Sequence, residues 1–347
     1  MARAPGGPRI GGPRSSPPDL PATDRMSDVS PFIPTSAPKG RPRGSRLSSL
    51  FEGLCFAAAT ALVAALGGLL VALFIGGWPT LRKFGVGFLT TSTWNPVTEI
   101  YGAAGPLVGT LVTSAVSLVF ALPVAAGVAF FLTELCPDRL RRPIGTAVEL
   151  LAGIPSIVYG MWGLFVLAPL FARHVEIPLM AAAPPGSLWD KLTTGIPNGS
   201  GILMASVILA IMILPFMAAT LRDLLLSVPP AVRESAYGLG ATTKEVVLSV
   251  TLPYIRSGAI GAVMLGLGRA LGETMAVTFV IGNSHDFPAS MFASGSTIAS
   301  TIANEFTEAS SPAHFSALIA LGLVLFVITF TVLALERLLL GLQEKHA

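Results

Sequence analysis

LMASVILAIMILPFMAATL, residues 203–221, runs for nineteen positions without a charge. A helix needs about 20 mostly apolar residues to cross the hydrocarbon of a bilayer, so this run predicts a membrane helix. Four further charge-free runs lie at residues 54–76, 106–132, 150–170 and 315–335, and a sixth, 257–280, holds two charges, Arg269 and Glu273. Six spans are therefore expected, in an all-α polytopic membrane bundle. Pro123, Pro155, Pro169 and Pro215 fall within these runs. Proline breaks a soluble helix but is tolerated in membrane bundles, where neighbouring groups satisfy the freed backbone.

Composition agrees. The 347 residues are 52% apolar and 12% charged, with a mean hydropathy of +0.72, against about 45–50% and about 25% for a soluble domain. Glycine shows no three-residue period, which excludes collagen, and two cysteines exclude a disulfide scaffold. The pI of about 9.1 does not signal nucleic-acid binding. Residues 1–46 hold eight Lys/Arg against three Asp/Glu, a net +5, and the remainder holds 14 against 16, a net −2. The basicity thus belongs to a tail whose ten Pro and six Gly cannot build a core, so residues 1–46 read as disordered and residues 47–347 as the membrane domain. No apolar stretch falls within the first 45 residues, so no secretory signal is read there; whether translation starts at Met1 or Met26 stays open.

Orientation follows from where Lys and Arg flank the spans. With the N-terminus cytoplasmic, thirteen lie inside: Lys39, Arg41, Arg43, Arg46, Arg139, Arg141, Arg142, Arg222, Arg233, Lys244, Arg256, Arg337 and Lys345. Four (Arg82, Lys83, Arg173, Lys191) lie outside. Both termini are expected inside. Cys55 and Cys136 then face the reducing side, where no disulfide is expected. Trp78, Trp94 and Trp189, beside turn-forming residues such as Pro79 and Asn95-Pro96, are expected to anchor the outer membrane interface.

Several chemistries are missing. No G-x-x-x-x-G-K-[ST] occurs, nor any Gly-Lys pair, so no P-loop nucleotide site is read in this chain; if energy is used, another chain supplies it. His174, His285, His314 and His346 are scattered, without metal-ligand spacing, and read as solvated loop residues. Gly268 and Gly272 read as a small-xxx-small packing face rather than as a dinucleotide fingerprint.

Residues 222–256 are the most informative loop. Pro229-Pro230 suits a helix start, Gly238 and Gly240 a helix end, and Thr242-Thr-Lys-Glu245 has capping-box spacing. Two short helices joined by a glycine bend are predicted on the inner face, a shape suited to docking a cytoplasmic partner. The run Glu234-Ser235-Ala236, then Gly240, then Val250-Thr251-Leu252-Pro253 resembles the EAA loop of binding-protein-dependent ABC importer permeases. In that family the pattern is E-A-A, three residues, Gly, nine residues, I-x-L-P. Ser235 and Val250 are mild departures. The resemblance implies that Glu234, Ser235, Ala236, Gly240, Val250, Leu252 and Pro253 dock an ATPase subunit and pass its motion to the membrane helices.

Two further segments, ELLAGIPSIVYG at 149–160 and GRALGETMA at 268–276, are similar to the phosphate permeases of that family. The long loop between spans three and four and TIASTIANEF at 297–306 resemble the PstC-type subunit more than the PstA-type. The resemblance covers about residues 50–340. It implies a bacterial inner-membrane machine with a PstA-type second permease, a PstB-type ATPase dimer holding ATP and Mg, and an extracytoplasmic PstS-type binding protein that delivers phosphate. This chain is then a non-catalytic permease without a cofactor of its own.

Arg269 and Glu273 are the only charges in the middle of a span. Each costs about 2.5–3.5 kcal/mol there on insertion scales. On one helix, four residues apart, they face the same side, and a bridge between them is expected. The functional expectation is that Arg269 offers its planar donors to a phosphate in the pathway while Glu273 holds it; the plain alternative is that the pair only glues helices. A permease for sulfate or molybdate shares the docking loop. A self-sufficient secondary transporter would need matching inverted halves, and no convincing pair is present.

Overall fold

The computed structural model describes residues 46–287 and 290–344. The tail read as disordered lies outside the described residues, apart from Arg46. The described residues divide at Leu62/Val63 into two units, and the packing below lies within the second. Helix α1 is Arg46–Phe84. A hairpin of β1 (Trp94–Asn95) and β2 (Ile100–Tyr101) leads into α2, Ala104–Phe130. There follow α3 (Asp138–Ala152), α4 (Ser156–Ala181), α5 (Leu188–Thr193), α6 (Ile202–Leu226), α7 (Pro230–Gly238), α8 (Thr243–Tyr254) and α9 (Arg256–Leu271). The chain ends with α10 (Met275–Val280), α11 (Ile298–Glu305) and α12 (Pro312–Glu344). Five of these helices are long and apolar enough to cross a membrane, and a sixth crossing results if α8 and α9, bent by 74°, count as one span.

The α2–α6 pair is the most extensive helix contact, and the sequence shows why. Gly109, Thr113, Ser117, Ala121, Ala125 and Ala129 recur every fourth residue along α2, and all are buried. Four residues is close to one helical turn, so they form one small-residue stripe. Against its Ala121–Ala129 part α6 packs a bulky set that includes Ile208, Leu209, Ile213 and Met217. Small residues let membrane helices approach closely, where lipid offers no hydrophobic drive for association. The hydroxyls on the stripe donate back to carbonyls of their own helix, Thr113 to Gly109 and Ser117 to Ser114, so no polar atom of these two side chains needs water. Where α1 meets α12, Gly77 stands against Ala320 and the Thr80 hydroxyl donates to the Ser316 hydroxyl at 2.8 Å.

The fold corrects four sequence expectations. Span three does not begin at residue 150. Helix α3 ends at Ala152, Gly153–Pro155 breaks the chain, and α4 starts at Ser156, because a residue before proline avoids helical angles. Span one does not stop at the turn-forming Pro79 but continues through Trp78-Pro79 to Phe84. Span six is not one helix over 257–280; it stops at Leu271 and restarts at Met275. Among the described residues no other helix of this chain comes within 4 Å of a Cβ placed on Gly268 or Gly272, so the close helix contact inside this chain is not made there. That role falls to Gly266, against which Met217 of α6 sits.

Candidate functional site

The break between α9 and α10 positions the two mid-span charges. Gly272 and Glu273 donate their N–H groups back to the carbonyls of Gly268 and Ala270, closing α9. The Glu273 carboxylate then turns forward and accepts from the Ala276 N–H at 3.2 Å, in the first turn of α10. A carboxylate suits that end of a helix, where N–H groups lack partners. Arg269 lies in the last turn of α9, the end that favours a cation. The expected bridge is therefore absent: among the described residues Arg269 and Glu273 form no ion pair. Broken geometry sends the carboxylate to a backbone amide instead of to the guanidinium. Arg269 is exposed and Glu273 half-buried.

The two segments similar to phosphate permeases meet here. Gly160 of α4 lies under α10, where a Cβ would come within 2.9 Å of both the Ala276 Cα and the Phe279 ring. The Tyr159 hydroxyl donates to the Leu151 carbonyl, across the Gly153–Pro155 break, at 2.9 Å. The site thus joins two helix breaks around one exposed guanidinium.

The 222–256 loop follows its sequence closely. Helix α7 ends with Gly240 at φ +89°, a left-handed angle that favours glycine, and the Ala241 N–H reaches back to the Ala236 carbonyl. Thr242 and Glu245 form the reciprocal capping box. The two Thr242 hydrogen bonds, backbone N–H first, pull the Glu245 carboxyl below its usual range. The box therefore stabilises α8 fully above the ordinary carboxylate pKa, and that contribution fades as pH falls through the lowered value. Glu234, Ser235, Gly240, Leu252 and Pro253 are exposed, and Ala236 and Val250 are half-buried. Gly240→Val asks a β-branched side chain to take a left-handed angle, at a cost of roughly 1–2 kcal/mol. Nothing stands within 4 Å of its Cβ, so the spans are undisturbed. If the loop docks an ATPase, as its resemblance to the EAA loop implies, the expected result is normal membrane insertion with lost ATPase binding or coupling, read by co-purification and uptake; normal values for both would remove the loop from the mechanism.

One cluster was not anticipated. Glu305, at the end of α11, accepts from the Trp94 indole N–H at 2.8 Å and meets His285 Nε2 at 2.8 Å and His314 Nε2 at 2.7 Å. Tyr101 stacks on His314, and Trp94 stacks on His285. The His314 side chain is 6% exposed and that of Glu305 14%. The reading of His285 and His314 as solvated loop residues is thus corrected, as is that of Trp94 as an interface anchor: its indole N–H faces a carboxylate, and its ring is buried. The cluster ties the hairpin, the 282–297 loop, α11 and the first turn of α12.

Residues 121–340 match the family of binding-protein-dependent transport system inner membrane components. The chain belongs to this family. Its relatives include the phosphate transport system permease proteins PstC of Mesorhizobium japonicum, 51% identical over 91% of this chain and 96% of that protein, and of Pasteurella multocida, 52% identical over 81% and 87%. The PstC 1 protein of Mycobacterium tuberculosis is 42% identical over 73% of this chain and 76% of its own. In fold, this permease resembles a chain of the inward-facing MetNI methionine ABC transporter. The TM-score is 0.54 at 17% identity, covering 72% of this permease and 98% of that chain. A bacterial alginate ABC transporter gives a TM-score of 0.53 at 18% identity, covering 84% and 96%. The permease is a multi-pass protein of the inner membrane.

Proposed function

We propose that this permease is the PstC-type subunit of an ATP-driven importer of inorganic phosphate, forming the pathway with a second, PstA-type permease. The observation that carries the reading is the 51% identity to a phosphate transport permease over nine-tenths of the chain. Arg269 supports it chemically. A cation in the last turn of an apolar helix that is exposed on this chain and lacks a partner among its described residues is costly against lipid. It is satisfied if that surface lines a hydrated path shared with the second permease. The guanidinium then offers a planar fork of donors to a phosphate oxyanion, and the helix break held by Glu273 fixes where that fork sits.

The docking loop is cytoplasmic in this reading, as are both termini. A PstB-type ATPase dimer binds ATP and Mg and engages Glu234–Pro253, while a PstS-type protein delivers phosphate at the opposite face. Helix α8 bends into α9 at Ile255, and Arg269 lies fourteen residues further on. At 1.5 Å per residue that is about 20 Å, so movement of the loop is conveyed along one helix to the substrate. No catalytic residue is assigned to this chain. The test is affinity purification of the tagged permease from its own membranes. Recovery with an ATPase and a second permease is expected; recovery alone, in a folded state, would reject the reading.

A further inference from the structure

Arg233, on α7 of the docking loop, forms an ion pair with Glu134, ninety-nine residues away at the end of α2. The Glu134 side chain is 6% exposed and that of Arg233 20%. The local structure explains why the carboxylate is there. Helix α2 ends in a π turn, Phe131–Leu135, closed by the Cys136 N–H on the Phe131 carbonyl at 2.8 Å. Such widened turns recur at functional sites, where they re-aim a side chain. This one carries an acidic residue at the carbonyl end of a helix, where the helix dipole disfavours it.

Two guanidinium groups answer that negative end. Arg141 of α3 donates to the Thr133 and Cys136 carbonyls at 3.3 and 3.4 Å. Arg233 takes the carboxylate. Arg141 is local, eight residues from Thr133. Arg233 belongs to the loop that docks the ATPase.

The rest of the loop is less firmly seated near α2. Helix α7 packs principally against α8. A crevice of about 850 Å³, lined by Phe130 at the end of α2 and by Val247, Leu248 and Leu252 of α8, separates α8 from α2. Side chains flanking such a space can slide. A buried charge pair cannot part without leaving a carboxylate unpaired in a desolvated setting, which is strongly disfavoured. The pair is therefore a direct charged link between the docking loop and the end of α2.

We propose that the Arg233–Glu134 pair is a second transmission line, drawing the end of α2 along with the docking loop while α8 drives α9. Both are positioning residues: neither touches substrate or ATP. With α9 and α2 moved together, the small-residue interface of α2 with α6 stays intact as the pathway changes its opening. The proposal rests on the loop's reading as an ATPase dock.

The experiment uses the full transporter in proteoliposomes, with the binding protein and phosphate, and reads phosphate taken up per ATP hydrolysed for each assembled complex. Glu134→Gln and Arg233→Gln are each expected to lower that ratio about tenfold while ATP continues to be hydrolysed. The exchanged protein, Glu134→Arg with Arg233→Glu, keeps the attraction and places a cation at the carbonyl end of α2. It is expected to recover most of the ratio; a pair needed only for folding would leave the ratio per assembled complex unchanged in the single variants. An unchanged ratio in both single variants would overturn the proposal. So would an exchanged protein that assembles normally yet couples no better than the single variants. Where the single variants fail to assemble, the exchanged protein decides alone, and its failure to assemble also counts against the proposal. A permease that never binds the ATPase, even unsubstituted, would instead reject the docking reading.

Discussion

Arg269→Gln is expected to leave the transporter assembled and to cut phosphate uptake roughly 100-fold. The guanidinium can give two charge-assisted hydrogen bonds to an oxyanion, each worth about 1.5–3 kcal/mol. Glutamine keeps a donor but neither the charge nor the fork. Arg269→Lys keeps the charge alone and should fall between the two. Glu273 separates by a different comparison. Glu273→Gln retains an oxygen for the Ala276 N–H and should assemble normally, whereas Glu273→Ala removes that acceptor and should loosen the start of α10 by about 1 kcal/mol. The exchange Arg269→Glu with Glu273→Arg would be benign for a bridge on one continuous helix. Across the observed break it puts an anion at the carbonyl end of α9 and a cation at the amide end of α10, both against the helix dipoles. Loss of uptake in the exchanged protein is expected, measured per assembled complex. Near-normal uptake would mean that neither side chain contacts phosphate.

Glu305→Leu is expected to be the most destabilising single change. It strands the Trp94 indole N–H and the His314 ring, both buried, and unlinks the partly exposed His285. Each buried donor left without an acceptor costs about 1–3 kcal/mol, so a total near 3 kcal/mol is expected. Glu305→Gln preserves one acceptor oxygen, and an imidazole can switch tautomer to receive the amide, so its loss should be smaller. Thermal unfolding of the purified proteins distinguishes them. An unfolding midpoint for Glu305→Leu equal to that of the unsubstituted protein would mean that the cluster does not hold these loops together.

What could be read from the chain alone was whatever a short window contains. The charge-free runs located five crossings, because a bilayer demands about 20 apolar residues in succession. The capping box and the left-handed Gly240 were legible because Thr242, Glu245 and Gly240 act within a few residues of one another. The helix break at 272–274 was missed because no proline marks it. It is made by Gly272 and by a glutamate that caps the next helix, and a glutamate four residues after an arginine looks the same on an unbroken helix. The Gly153–Pro155 break was hidden by its apolar setting. The Glu305 cluster joins Trp94 to a residue 211 positions away, and the Arg233–Glu134 pair spans 99; no local pattern announces either. One signal was available: two glutamates, Glu305 and Glu308, and two histidines in a segment, 282–314, that holds no Lys or Arg.

In the proposed function this permease carries phosphate at the expense of ATP hydrolysed by a partner. The direct measurement is radiolabelled phosphate accumulation in proteoliposomes holding both permeases and the ATPase, supplied with the binding protein, with ATP inside or outside the docking face and with sulfate and molybdate as competitors. Accumulation that requires ATP on the docking-loop side, requires the binding protein and resists excess sulfate and molybdate is the result expected. Phosphate movement without ATP, or accumulation of sulfate or molybdate in its place, would contradict the account.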